Sequence, residues 1–243
     1  MPKAPSKFCA TINNATYDKV EKVVFNDGGS GFRTGQAQSA QLLVGAEYLD
    51  GAGTSNRIRK LAGFIPTSYE VTYQQGGMNQ FSMTGLYADE NDGATPTDIT
   101  SPTGGDDSAF HDFQLDIDGV QINKLQSATL SFENLYRFQR GDQRTPIAAV
   151  LGNPTASLSV TATWDDPSDQ LEYAYGGSGQ TSPQDSLNSV GVDATLETNG
   201  TTISQYSYAD AKPTSHSWNA LLDGQSDTTE QVEWHLNNGV SIS

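Results

Sequence analysis

Apolar and polar positions along the chain alternate at period two, in short runs closed by turn residues. Residues 69–73 (YEVTY) and 80–87 (QFSMTGLY) flank Gln75-Gly76-Gly77 and predict a hairpin. Residues 113–117 alternate up to Asp118-Gly119, and Val120-Gln121-Ile122 carries the alternation back. Residues 128–133 (ATLSFE) and 157–164 (SLSVTATW) predict two further strands. Asp-Gly recurs at Asp27, Asp50, Asp92, Asp118 and Asp223, and Asn-Gly at Asn199 and Asn238, pairs that tolerate positive φ and suit tight turns. Each strand therefore lays one side on a core. The other side is mostly Ser, Thr and Gln, which suits a face that meets another subunit.

Helix signals are few. Asp166-Pro167 caps a stretch that ends at Gly176-Gly177 and predicts one short helix over 166–175. Residues 16–25 read both ways: Tyr17, Val20 and Val24 form a helical stripe, and Val23-Val24-Phe25 serves equally as strand. Residues 45–63, rich in Ala and Gly and carrying Arg57, Arg59 and Lys60, and residues 91–107, made of Asp, Thr, Gly and Pro, are expected as long loops. Neither a repeat nor a break in composition divides residues 1–243, so one domain is expected, with an acidic C-terminal region over 178–243.

Charge narrows the function classes. The formal net charge is −16, and residues 145–243 hold twelve acids against the single base Lys212. Such a field repels polyanions, and the nearest thing to a basic patch is Arg137, Arg140 and Arg144. Asp outnumbers Glu by 20 to 9 and lysine totals seven, the bias of proteins adapted to high salt; solubility alone is the competing cause. With Cys9 as the sole cysteine there is neither an internal disulfide nor a Cys-based zinc site. The first residues contain no apolar run of signal-peptide length and no 18 apolar residues are consecutive, so a product made in the cytosol and free of membrane is expected.

Catalytic chemistry finds little footing. His111, His216 and His235 are dispersed without metal or triad spacing and are expected at the surface or on edge strands. Asp165-Asp166 fits a strand end and a helix cap as well as half of a glycosidase pair. Asp116-Ile117-Asp118-Gly119 lacks the remaining ligands of a calcium loop and reads as a hairpin turn. The glycines of residues 29–35 miss a dinucleotide fingerprint by one position. Asn14-Ala15-Thr16 and Asn199-Gly200-Thr201 are glycosylation sequons by pattern only. No catalytic, cofactor-binding or metal residue is assigned, and an enzyme is not expected.

One stretch is more specific. The hairpin over 69–87, the segment 120–134 in which a Ser-initiated strand ends in Glu133-Asn134, the polar loop 140–144, and the Thr- and Ser-rich strand closing on Asp165-Asp166 before a short helix together resemble the major tail tube proteins of long-tailed viruses. The resemblance covers residues 68–177, and the insertion at 91–107 and the acidic C-terminal region depart from it, which leaves open an extra decoration on the outside of the tube.

The resemblance implies a mainly β fold, a sandwich or small barrel with one flanking helix. It also implies hexameric rings that stack into a hollow tube, with strands of six subunits joining an inner β-barrel. The strands carrying Tyr69, Val71, Tyr73, Phe81, Met83, Leu130, Phe132, Leu158 and Val160 are the expected inner-barrel strands. Partners implied are further copies of the chain, a tape measure protein, a tail terminator and tail tip proteins. Viral DNA would pass without specific binding through a lumen of carboxylates and hydroxyls. A virion of a halophilic archaeal virus, assembled in the host cytoplasm, is the setting expected; the alternative is another β-sandwich virion protein or an adhesin or lectin-like module of a halophile.

Overall fold

The computed structural model describes residues 6–25, 31–32, 36–50, 53–91, 104–142, 145–164, 170–219, 227–237 and 240–242. In chain order the strands are β1 (Ser6–Thr11), β2 (Ala40–Asp50), β3 (Gly53–Gln74), β4 (Gln80–Leu86), β5 (Asp89–Asn91), β6 (Phe113–Ile117), β7 (Val120–Gln121), β8 (Leu125–Glu133), β9 (Tyr136–Gln139), β10 (Ala148–Leu151), β11 (Thr155–Thr163), β12 (Val190–Thr198), β13 (Thr201–Asn219), β14 (Thr229–Asn237) and β15 (Ser241–Ile242). Helix α1 (Tyr17–Val24) lies between β1 and β2, and helix α2 (Leu171–Tyr175) between β11 and β12. The protein is mainly β, as the alternation predicts.

The main sheet runs β1-β4-β3-β8-β11-β14-β13-β12-β6-β7. Strand β13 makes it two layers. Its first half pairs with β12 (Thr198↔Thr201 to Val190↔Ala211), and its second half pairs with β14 (Asp210↔Asn237 to Asn219↔Thr229). Ala211 is shared by both ladders, and a register shift follows at Pro213/Ser215, where an extra residue bends a strand. The layer holding β6 and β12 thereby packs over the layer holding β3, β8 and β11. Phe113 on β6 stacks on Tyr73 on β3 at 5.0 Å, and Tyr206 on β13 meets Phe132 on β8 at 5.9 Å.

Two turns follow the Asp-Gly and Asn-Gly reading. Asp118 and Gly119 (φ 54° and 77°) join β6 to β7, and Asn199 and Gly200 (φ 51° and 73°) join β12 to β13. The pairs at Asp27, Asp92, Asp223 and Asn238 lie outside the described residues. The hairpin over 69–87 is formed by β3 and β4 around Gln75-Gly76-Gly77, with Val71 opposite Phe81.

One expectation changes and two open readings are resolved. Residues 45–50 and 53–63 are strand and not loop: β2 pairs with the first half of β3 from Ala40↔Phe64 to Asp50↔Gly53, making a long two-stranded arm, with residues 51–52 outside the described residues. Backbone pairing across that arm overrides the weak strand propensity of its Ala and Gly residues. The ambiguous residues 16–25 are helical, because the helix buries Tyr17, Glu21 and Val24 together on one face. The C-terminal region is not a decoration, since β14 lies between β11 and β13 within the sheet. Of the 91–107 insertion, Asn91, at the end of β5, and residues 104–107 are described, and Asp106 and Asp107 accept hydrogen bonds from Asn199 (3.0 Å) and Asn13 (2.9 Å).

Candidate functional site

Strand alternation sorts β1, β4, β3, β8, β11 and β14 into two faces. Toward the core, adjacent positions run Met83, Tyr69, Phe132, Ala156 and Leu236 in one row, and Phe81, Val71, Leu130, Leu158 and Trp234 in the next. Tyr69, Val71, Tyr73, Phe81, Met83, Leu130, Phe132, Leu158 and Val160 are all buried, none above 7% exposed. They are thus brought together on four adjacent strands, in the order β4-β3-β8-β11, with every side chain turned inward.

The opposite face is polar across seven strands. One row reads Cys9, Ser82, Glu70, Ser131, Ser157, His235 and Lys212, and the next Gln80, Thr72, Thr129, Ser159, Glu233 and Ser215. All of these are half-buried or exposed. Hydroxyls dominate. The carboxylates of this face include Glu70, Glu133 and Glu233, the last accepting a hydrogen bond from Ser159 at 2.6 Å, and the lysines on these strands stand at the flanks, Lys7 on β1 and Lys212 on β13. Among the described residues strand β1 ends the sheet, and no described strand pairs with its outer backbone edge.

Beneath the sheet, α1 is pinned by a hydroxyl chain. Tyr69 donates to Tyr17 at 2.5 Å, the Tyr17 and Tyr206 hydroxyls lie 2.7 Å apart, Tyr206 donates to Glu21, and Ser204 donates to the same Glu21 oxygen at 2.8 Å. Burial pushes the Glu21 carboxyl up to about 7, with the Tyr206 and Ser204 hydroxyls pulling the other way. Burial likewise holds the Tyr17, Tyr69 and Tyr206 hydroxyls well above their ordinary range, so they are neutral donors. Glu21 carried no sign in the sequence beyond its place, four residues after Tyr17, on a helical stripe.

The histidines do not converge. His111 is exposed, 3.6 Å from Asp112, and His235 stands on the polar sheet face. His216 is half-buried on the second half of β13, which among the described residues pairs with β14 alone, so it is on an edge strand as expected; its Nε2 lies 3.3 Å from the fully buried Glu230, which also accepts from Gln170 at 3.3 Å. Its register is opposite Val232, on the core side of β13. Among the described residues no group of three or more His, Cys, Asp or Glu could hold a metal, and no helix is long and apolar enough to cross a membrane. Asp165, Asp166 and Arg144 lie outside the described residues, as do residues 29–30 and 33–35 of the Gly-rich stretch. Asp116-Ile117-Asp118-Gly119 is a strand end and turn.

An inward apolar face, an extended polar face and a sheet edge with no described partner define a structural β protein. The chain belongs to the phage tail tube protein family, whose model matches residues 14–235. Comparison with curated proteins finds no match. The match covers nearly the whole chain, including the C-terminal strands, so they are part of the family fold. It makes the protein a component of a virion tail that assembles with itself into a tube.

Proposed function

We propose that hexameric rings of this chain stack into a hollow tail tube through which viral DNA passes, and that the polar face of β4, β3, β8, β11 and β14 lines the lumen. The observation that carries this reading is the in-register polar face itself. A β-sheet of this length whose back carries Ser, Thr and the carboxylates of Glu70, Glu133 and Glu233, and whose front is sealed core, has one side free for a passing polyanion. Hydroxyls offer phosphate no fixed positive charge, and these carboxylates, repeated around a ring, repel it at short range. The strands bearing Tyr69, Val71, Tyr73, Phe81, Met83, Leu130, Phe132, Leu158 and Val160 then form the inner barrel, with their alternate residues toward the channel.

The outer edge of β1, unpaired among the described residues, supports ring closure, because joining it to a neighbouring subunit gives that edge a partner. The β2–β3 arm is the element long enough to bridge to the next ring. Head-to-tail contacts of that kind propagate without limit. A tape measure protein, a tail terminator and tail tip proteins are the proposed further partners. The excess of Asp over Glu supports a halophilic, archaeal host, with assembly in its cytoplasm.

Electron microscopy of the purified protein at molar salt should show tubes or six-fold rings, and a strictly monomeric species at every salt concentration would refute the assembly. The native Cys9 reports which face lines the channel, since it stands exposed on the polar face in the free chain. A small maleimide should label it in tubes, whereas a large polyethylene-glycol maleimide should label dissociated subunits and leave tubes unmodified. Equal labelling of tubes by both reagents would put the polar face on the outside.

A further inference from the structure

The second layer carries acidity of its own, behind the polar face. On the outward side of the second layer, Asp116 on β6 stands directly opposite Asp193 on β12. Like charges in directly paired positions of an antiparallel ladder repel. Partial burial, and then the Asp193 charge, hold the Asp116 carboxyl above its ordinary range. No lysine or arginine among the described residues forms an ion pair with either aspartate, whereas Lys22 is matched by Asp18 at 3.1 Å and Arg59 by Glu90 at 2.6 Å.

The complementary feature is the two-stranded β9–β10 hairpin, which stands apart from the main sheet. Arg137 on β9 and Arg140 just beyond it are exposed and form no ion pair among the described residues. The hairpin end also presents Ile147, 70% exposed. Arg137 lines an open pocket of about 450 Å³ together with Asn134, Asn153 and Thr67. A guanidinium beside neutral amides suits carboxylate, and in a chain of net charge −16 two unmatched arginines on one hairpin are a scarce resource.

We propose that the β9–β10 hairpin docks on the outer layer of a second copy of this chain, where Arg137 and Arg140 engage the Asp116–Asp193 pair. The proposal rests on the reading that the chain assembles with itself, and adds a contact separate from the inner barrel. It accounts for both unmatched features at once. The two surfaces are different patches of one subunit, so the contact is head-to-tail and repeats from copy to copy. Its second effect is selectivity, because subunits of such high like charge attract only where these patches meet.

The test compares four chains at one salt concentration by sedimentation and negative-stain microscopy: wild type, R137E/R140E, D116R/D193R, and the combination of all four changes. Each double reversal should cut sedimented tube by about tenfold or more, and the combination should restore it. A charge-free version uses Arg140→Cys with Asp193→Cys in a Cys9→Ser background, which should give a ladder of disulfide-linked oligomers on oxidation. Tubes of normal yield from R137E/R140E, or folded variants that the combination fails to restore, would overturn the contact. If the reversals unfold the chain, absence of the disulfide ladder overturns it instead. A wild type that never assembles overturns the tube reading together with this contact, whereas wild-type tubes with indifferent variants overturn the contact alone.

Discussion

The Tyr206 hydroxyl donates a hydrogen bond to the Glu21 carboxyl, joining strand β13 to helix α1 across 185 residues of sequence. Through Tyr17 and Tyr69 the same chain of hydroxyls reaches β3, in the middle of the opposite layer. The helix, the sheet that faces the proposed channel and the strand that bends the fold into two layers therefore meet at one buried carboxyl.

That carboxyl should give the protein a distinctive pH dependence. Glu21 titrates at about 7 in the folded chain against an ordinary 4.5, because burial penalises its charge. The folded state thus prefers the neutral form. Its stabilising share is complete below pH ~4.5, declines as the pH rises toward about 7, and is gone above, a change on the order of 3 kcal/mol. Glu21→Gln should remove this slope, so chemical denaturation of the variant relative to wild type should shift in its favour from pH 4.5 to pH 8. A difference independent of pH would show that Glu21 is charged throughout.

Phe132→Ala should cost about 3–5 kcal/mol of unfolding free energy, measured by denaturant titration. Phe132 is fully buried and ringed by Phe25 at 5.1 Å, Tyr69 at 5.9 Å and Tyr206 at 5.9 Å, so truncation leaves a cavity that rigid aromatic neighbours cannot fill.

Gly85→Ala should destabilise the chain by about 1–3 kcal/mol, the range of overpacked sites. A Cβ there would stand 2.3 Å from the Ile65 carbonyl oxygen and 2.4 Å from the Phe64 ring, and the backbone atom cannot yield. Gly191→Ala is the control, since its nearest neighbour would be 3.9 Å away, and its thermal midpoint should stay within a degree or two of wild type.

Val71→Pro should unfold the subunit rather than merely block its assembly. Strand β3 is flanked by β4 and β8 at this residue, so proline removes a ladder donor in a central strand, at about 3 kcal/mol or more. Loss of the native circular dichroism spectrum is the expected result. A folded monomer that fails to form tubes would mean that Val71 lies at a subunit edge.

Much of this was legible along the chain. Every run read as a strand from 69 to 163 is one, because a half-buried strand must alternate and turns such as Asp118-Gly119 and Asn199-Gly200 require the residues they have. The nine apolar residues from Tyr69 to Val160 could be grouped for the same reason. What failed did so where local signals are silent. Residues 45–63 lack alternation, and only the partner strand made 45–50 and 53–63 β. Glu21 is a polar residue whose burial depends on what lies across the core, which no local pattern records.

The sequence by itself determined the alternating strands, the tight turns and an acidity that disfavours holding DNA, since these depend on neighbours a few residues away. Only the tertiary structure decided where that acidity sits. Register places hydroxyls on the face proposed for the channel and sets Asp116 against Asp193 on the other layer, because pairing between distant strands, and not order along the chain, chooses which side chains share a surface.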